Sequence, residues 1–501
     1  MERGATAALA TAAIAALLAS TPSIAGDPPV GRLAVSRATT WITEPLRADG
    51  TPDYAAWLTR RYAAGVTAEN NAAPVLMEIR MIGEVRHAPP AFAEQHRRAL
   101  LGPWDEADAP LIADWLRVNG PSLERAEQVV RSRPRFWIAP PGDMGMDEGI
   151  PSRLGFRVIA EAFRARTLRR AAAEGEGGAR RDLLLGLRFA ALVDQGPWII
   201  DRIVGAAVRG IAAEPVVALA NPPPARRAAA AALLAGLRGI PPSAPLDDVL
   251  DVSERLQFLA GYLDLYRAAR RSPQAWPERV STLLASFEPF YAILGQKPRP
   301  PNLGRIPAWA IDWNELLRRV NECWLKPDCD AGYAAAAQDL ESPAFDRLLD
   351  QARTEPGARR RIARAFLTLQ TPASLGRARV SWNEQVAVAR TGLVSAAAAL
   401  WHVDHGRDPE SAAALASGPA SAGFDPAADH VGYAFRYAVA SDGRRFAYTS
   451  TPLQPDETGV RRFCADSSGR LASTTDGAVS MIVDGLCAPG TTTLAARTVA
   501  P

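Results

Sequence analysis

The chain has 501 residues, 48% of them hydrophobic and 22% charged, with 57 basic side chains against 54 acidic ones and a formal net charge of +3. At roughly 150 residues per domain this length suggests about two to four domains. The ordinary globular proportions exclude wholesale disorder, a collagen and a multi-span membrane protein. Only Lys297 and Lys326 are lysines, so nearly all the positive charge is arginine. It is scattered among acids, with no strip of aromatic and basic residues to stack bases and neutralise phosphates, and nucleic acid is not expected as a partner.

The N-terminus has the three regions of a secretory signal. Met1 to Gly4 carries one arginine, Ala5 to Ala19 is an apolar, alanine-rich run, and Ser23-Ile24-Ala25 places small residues before Gly26. Residues 1–25 are therefore expected to be a signal peptide cleaved after Ala25. The run is too short to span about 30 Å of hydrocarbon, and no later stretch reads as a transmembrane helix of the mature chain. Residues 26–38 form a leader containing Pro and Gly.

From 39 to about 380 the pattern is a series of helices punctuated by Pro and Gly. Pro52-Asp53 opens the first, Ala72 to Ile82 is the second and Pro110 to Asn119 the third, with Asn119-Gly120 expected as a left-handed stop. Pro121-Ser122 starts a fourth helix. A helical hairpin follows, with arms 154–173 and 180–194 about the turn Glu174-Gly175-Glu176-Gly177-Gly178. No strand precedes these glycines and no GxxxxGK follows, so they are not a phosphate loop. Gly196-Pro197 restarts a helix, and further helices are expected at 228–238, 247–271, 274–294 and 312–325. Breaks at Asn221-Pro222-Pro223-Pro224 and Pro298-Arg299-Pro300-Pro301 are possible sub-domain boundaries.

After about residue 405 helical spacing gives way to alternation, with Tyr433, Phe435 and Tyr437, then Phe446 and Tyr448. Ser441-Asp442-Gly443 and Ser467-Ser468-Gly469 are turn signals between strands. Residues 381–501 are thus expected to be a small α+β domain, with a helix from about Trp382 to Trp401 and three or four antiparallel strands. The fold class is mainly α, a multi-helix block of antiparallel helices followed by that α+β domain.

The four cysteines form two local couples, Cys323 with Cys329 and Cys464 with Cys487. Neither has the CxxC spacing or nearby histidines of a zinc site. An even count in an exported chain points to disulfides, although four cysteines allow three connectivities.

Two stretches resemble known families. The first is Thr40-Trp41-Ile42-Thr43-Glu44-Pro45-Leu46, then Asp49-Gly50-Thr51-Pro52-Asp53-Tyr54 and Gly65-Val66-Thr67-Ala68-Glu69-Asn70-Asn71-Ala72. Trp104, Trp115-Leu116, Asn119, Arg133-Pro134-Arg135-Phe136 and the hairpin at 154–210 continue it. This resembles a family of uncharacterised, helix-rich exported proteins of planctomycete-type bacteria, over about residues 39–210 and more loosely to 400. The likeness implies export and a helical fold, and carries no activity.

The second comprises Gly432-Tyr433-Ala434-Phe435-Arg436-Tyr437, Thr458-Gly459-Val460-Arg461-Arg462-Phe463-Cys464 and Asp466-Ser467-Ser468-Gly469, behind a helix ending at His405-Gly406-Arg407-Asp408-Pro409. It is similar to the C-terminal sheet of pseudopilin-like proteins. A pilin subunit needs a hydrophobic N-terminal spine behind a prepilin-peptidase site. This chain has a signal peptide and a long helical block there, so the likeness does not imply filament formation.

The densest cluster of metal-ligand residue types is His402-Val403-Asp404-His405, with Asp408 and Glu410 close by. On a helix, 402 and 405 share a face, so His402, His405 and Asp408 are the candidate metal ligands. The competing account is a helix end, where histidine suits the negative dipole and Gly406 permits the turn. No HExxH motif is present, and no ligand beyond the two imidazoles and the nearby Asp408 is evident.

Glu44 and Glu69-Asn70-Asn71 are expected to cap helices rather than line a pocket. Asp143, Asp147 and Glu148 lie in a Gly-rich loop whose spacing is not that of an EF-hand. His87 and His96 stand apart on a polar segment, and His430 precedes the sheet. No GxSxG elbow and no Cys/His couple is present. The twelve tryptophans fall mostly at helical spacing, which points to core packing rather than carbohydrate stacking.

These observations suggest an exported, non-enzymatic scaffold or binding protein of the cell envelope, periplasmic or extracellular, that recognises a protein or envelope partner and carries no cofactor. The alternatives are a metal-assisted envelope hydrolase and an accessory protein of a secretion or pilus-type machinery.

Overall fold

A computed structural model of the chain describes residues 28–82, 88–140, 150–221, 227–272, 276, 278–282, 306–324, 344–366, 373–417, 425–426, 428–441 and 443–496. The expected signal peptide, His87, the loop holding Asp143, Asp147 and Glu148, the Pro-rich breaks, the second half of helix 274–294, Cys329 and Asp442 lie outside them. The protein is mainly α-helical with a C-terminal antiparallel sheet of five strands and a small two-stranded one. It divides into two compact units: residues 1–64, 139–148 and 247–375, and residues 65–138, 149–246 and 376–501.

The larger unit begins with α1 (Ala73–Glu78), α2 (Pro90–Leu101), α3 (Pro110–Val118) and α4 (Gly120–Ser132). It continues with α5 (Ile150–Ala173), α6 (Glu176–Val193), α7 (Ile199–Ala220) and α8 (Arg227–Arg238), and then α9 (Ala373–His405) and α10 (Ala412–Ser417). Proline stands at the first or second position of α1 to α4, where its missing N–H costs nothing.

Helix α1 is shorter than the expected 72–82, and the reason is Asn119. Its side chain accepts from the Ile82 N–H at 2.6 Å and donates to the Ile82 carbonyl at 3.0 Å, holding that segment out of a helix. Asn119 is also not the expected left-handed stop. Its φ is −88°, and Gly120 is already the first residue of α4. The hairpin turn is likewise tighter than expected, because Gly177 and Gly178 lie within α6 and only Gly175 takes a positive φ.

The apolar faces of α1 to α7 form one core, with Trp104, Trp115, Phe136, Phe156, Phe163 and Phe189 among its buried residues. A second core is shared by α6, α7, α8, α9 and the sheet. It joins Leu183, Val216 and Leu234 to Val394 and to Tyr433, Tyr448 and Phe463. Helices α7 and the Ala378–His405 run of α9 are long and apolar enough to cross a membrane by length and composition, but 78% and 67% of their most apolar windows are buried inside the protein. Burial against neighbouring helices and strands accounts for that apolarity without a bilayer.

The sheet consists of β1 (Tyr433–Val439), β2 (Phe446–Pro452), β3 (Arg462–Asp466), β4 (Leu471–Thr474) and β7 (Thr492–Ala495), in the order β1-β2-β3-β4-β7. The strands β5 (Ile482–Val483) and β6 (Leu486–Cys487) form the second sheet. The expected three or four strands were too few. The short β5, β6 and β7 carry no aromatic alternation to betray them. Side chains alternate across β3 as its period of two requires. Phe463 and Ala465 face the helical core, whereas Cys464 faces a smaller cluster with Ala447, Ala472, Met481 and Cys487.

The smaller unit packs aromatic rings around the helices Tyr54–Tyr62, Arg255–Arg271, Trp313–Glu322, Phe345–Ala352 and Pro356–Phe366. Asp53 and Asp312 cap two of these helices by accepting backbone N–H groups at 3.0 Å. Tyr266, Trp313, Trp276 and Phe366 follow one another at centroid separations of 5.5 to 6.0 Å. Glu315, buried at the start of its helix, receives Arg319 at 3.1 Å and Arg364 at 3.0 Å as well as Arg318. Burial alone would raise its carboxyl, but hydrogen bonds from Arg364 and Arg319 hold it below the ordinary carboxylate range.

Candidate functional site

The helix α9 ends where the histidines stand. Gly406 takes a φ of +69°, and its N–H donates to the His402 carbonyl at 2.7 Å, a turn that a side chain would strain. His402 Nδ1 lies 2.6 Å from Asp408 Oδ1, and Asp408 is buried. His405 is turned elsewhere. Its Nδ1 lies 2.9 Å from the Trp401 carbonyl, and its ring stacks on the Trp401 ring at 3.9 Å. The remaining acids of the segment are committed: Asp404 to Arg227 at 2.5 Å, and Glu410 to Arg407. Of the three residues expected to converge, His402 and Asp408 meet and His405 does not join them. Among the described residues no group of three or more His, Cys, Asp or Glu is gathered as a metal would need.

The other histidines differ from one another. His96 does not stand on a polar segment. It lies in α2, a helix the sequence pattern did not reveal, stacked beside Phe92 and edge-on to Trp115 at 5.9 and 5.8 Å. Burial, with Arg164 nearby, pushes it down to about 4 although Glu161 is 3.7 Å away. His430, before β1, is lowered by burial and then by Arg390.

Asn71 is the polar residue of the N-terminal block with the clearest task. Its side chain accepts from the N–H groups of Ala73 and Trp137, and donates to the Trp137 carbonyl at 2.8 Å. Asn70 closes its own loop by accepting from Thr67 and donating to Gly65. Glu44 and Glu69 are exposed. Eight of the twelve tryptophans are buried, which suits packing.

Cys464 and Cys487 are joined by a disulfide, with Cα atoms 5.7 Å apart, on the face of the sheet away from the helical core. Cys323 is disulfide-bonded too. Such bonds are compatible with an oxidising compartment.

Two buried carboxylates organise the arginines of the helical block. Asp194, at the end of α6, stands 3.5 Å from Arg209 and accepts the Ala244 N–H at 3.2 Å. Asp182, within α6, receives Arg166 and Arg170 at 2.9 Å each. Burial raises both carboxyls, and the arginines oppose it. Glu127 of α4 takes Arg131 at 2.9 Å and Arg166 at 3.1 Å.

Beside this network is an open cleft of about 250 Å³, lined by Arg131 from α4 and by Arg180, Arg181 and Arg188 from α6. Leu184 and Leu185 supply its apolar part, and no acid is among its described lining residues. Arg180, Arg181 and Arg188 make neither an ion pair nor a side-chain hydrogen bond among the described residues. Sequence reasoning passed over these positions, because whether an arginine finds a carboxylate is decided in space. One signal was present: 177, 181, 184 and 188 share one helical stripe.

The chain matches no family model, no curated protein and no solved structure. Its chemistry therefore has to be argued from the sites themselves.

Proposed function

We propose that the chain is an exported, non-enzymatic scaffold or binding protein of the cell envelope, working outside the cytoplasmic membrane. Export is supported by the signal-like residues 1–25 and by the Cys464–Cys487 disulfide. The non-enzymatic half rests on one observation. At the densest cluster of ligand-type residues, His402 is taken by Asp408 and His405 by Trp401. A continuous core from α6 to the sheet gives a rigid frame on which a binding surface can be held.

The test is fractionation of the native organism's cells, followed by N-terminal sequencing and metal analysis of the purified protein. The reading expects a mature chain starting at Gly26, no free thiols and no stoichiometric metal. A cytoplasmic chain still starting at Met1 would overturn export. Stoichiometric zinc lost on His402→Ala would favour the metal-assisted hydrolase instead.

An accessory role in a secretion or pilus-type machinery is the second reading. It is favoured by the order of a long helix, Ala373–His405, followed by a sheet that packs on it. Co-purification with secretion components would support it. The resemblance to exported helix-rich proteins of planctomycete-type bacteria is proposed on the same footing.

A further inference from the structure

Three of the four arginines of the α4–α6 cleft, Arg180, Arg181 and Arg188, have no ion pair or side-chain hydrogen bond among the described residues, while the fourth, Arg131, pairs with Glu127 at 2.9 Å. Three described acids nearby are already engaged: Asp182 with Arg166 and Arg170, Glu127 with Arg131 and Arg166, and Glu174 with Arg170 at 3.6 Å. Arg180, Arg181 and Arg188 remain without a described carboxylate around one concavity. Like charges held together repel, and a concave wall focuses their field outward.

Three further features lie at the same place. The start of α6 carries the positive end of its helix dipole, and Gly175, at its N-cap, makes no side-chain cap, although the Glu174 carboxylate lies against Gly178 in the same turn. Gly177 lines the cleft, and a Cβ there would meet nothing within 4 Å, so a ligand can approach the backbone. Guanidinium forks match tetrahedral oxyanions in two-point contacts that an ammonium cannot make. The volume is below that of drug-sized sites and suits a compact group.

We propose that the cleft lined by Arg131, Arg180, Arg181 and Arg188 binds a compact polyanion carrying two linked phosphoryl groups, either free in solution or as the head of a larger envelope molecule. Two phosphoryl groups offer oxygens in several directions for several forks, whereas separate carboxylates of equal total charge present flat, two-oxygen edges. The inference deepens the binding-protein reading and rests on it, since it names what the bound partner displays.

The experiment titrates the purified mature protein with inorganic pyrophosphate by calorimetry, with orthophosphate and citrate in parallel, at low and at physiological salt. Pyrophosphate is expected to bind one per chain, at least tenfold tighter than either comparator, and more weakly as salt rises. Arg181→Gln and Arg188→Gln should each weaken it by about tenfold, the scale of one lost charge-assisted hydrogen bond. Both side chains are exposed and unpaired, so the thermal midpoint should not move. Arg60→Gln and Arg98→Gln, elsewhere on the surface, should leave binding unchanged.

Phosphatidylcholine vesicles with and without a long-chain prenyl diphosphate separate the sources. Vesicle binding that needs the prenyl diphosphate and is lost in R181Q/R188Q assigns the group to a lipid head, and pyrophosphate binding alone assigns it to a soluble ligand. Equal binding of citrate and pyrophosphate, or insensitivity to both arginine variants, overturns the proposal. Absence of any binding by an exported, metal-free protein overturns the cleft while leaving the binding-protein reading intact. Turnover of pyrophosphate to orthophosphate would do the reverse, keeping the cleft and removing the non-enzymatic reading.

Discussion

Arg164 and Leu494, 330 positions apart in the chain, are joined by a 2.7 Å hydrogen bond from guanidinium to carbonyl. The same guanidinium donates to the Leu100 carbonyl and pairs with Glu214. A second link runs alongside, from the Ala496 N–H to the Leu101 carbonyl at 2.7 Å. One side chain of α5 thus ties α2, α7 and the last strand together. Both Arg164 and Glu214 are largely out of water, so removing one partner leaves a buried charge. Arg164→Leu is expected to cost about 3–5 kcal/mol in denaturant unfolding, and R164L/E214L distinctly less. A loss below about 1 kcal/mol for the single variant would show that this tie contributes little.

The buried His96 makes stability depend on acidity in a defined direction. Its folded value, about 4, is below the unfolded one near 6.5, because burial and then Arg164 disfavour the charged ring. The groups that face it are Glu161, Arg164, and the rings of Phe92 and Trp115. Above about pH 6.5 the ring is neutral in both states, so its contribution is fully present there. As pH falls toward 4 the unfolded chain takes up the proton first, and up to roughly 3 kcal/mol is lost. His96→Phe, which keeps a ring between Phe92 and Trp115, should flatten the unfolding midpoint over that window. An identical acid slope in the variant would place the dependence elsewhere.

Much of the architecture follows from local rules that are visible in the chain. Asp53 and Asp312 cap helices as their positions suggest, and Gly406 turns the chain behind α9. The alternation of Tyr433, Phe435 and Tyr437 against Phe446 and Tyr448 is the β1–β2 pair, with Phe435 and Tyr448 stacked at 5.8 Å. What stayed hidden depends on partners far along the chain. The end of α1 is set by Asn119, and the burial of His96 by Trp115. The π-helical turn Val249–Glu254 has no residue pattern of its own. For the candidate sites, the helix-end position of His402 and His405 was legible, but the unpaired state of Arg181 and Arg188 was not.

Gly205 in α7 marks a close approach between that helix and the end of α6. A Cβ built there would stand 2.9 Å from the Asp194 Cα and backbone nitrogen, atoms that cannot swing aside. Gly205→Ala is therefore expected to destabilise the protein by about 1–3 kcal/mol despite alanine's better helix propensity. Gly186→Ala is the comparison, since its Cβ would meet only side chains, the Ala212 methyl at 3.3 Å and the Phe163 Cβ at 3.7 Å. If thermal melts place G205A level with G186A, the two helices are not packed this closely.

The Cys464–Cys487 bond closes a loop over a sequence separation of 23. In the chain-entropy account a loop of that size is worth about 3 kcal/mol, because it restricts the unfolded chain. Its sulfurs lie with Ala447, Ala472 and Met481 on the side of the sheet away from the helices, and the Cys487 N–H donates to the Asp466 carboxylate at 2.9 Å. Opening the bond therefore leaves the helix-facing residues Tyr433, Tyr448 and Phe463 in place. C464A/C487A is expected to unfold about 3 kcal/mol more readily, with far-ultraviolet helicity unchanged before the transition. Reduction of the wild-type protein should lower the midpoint in the same way but have no effect on the variant beyond that due to Cys323. A wild-type midpoint indifferent to reductant would mean that the sheet's outer face holds without its covalent brace.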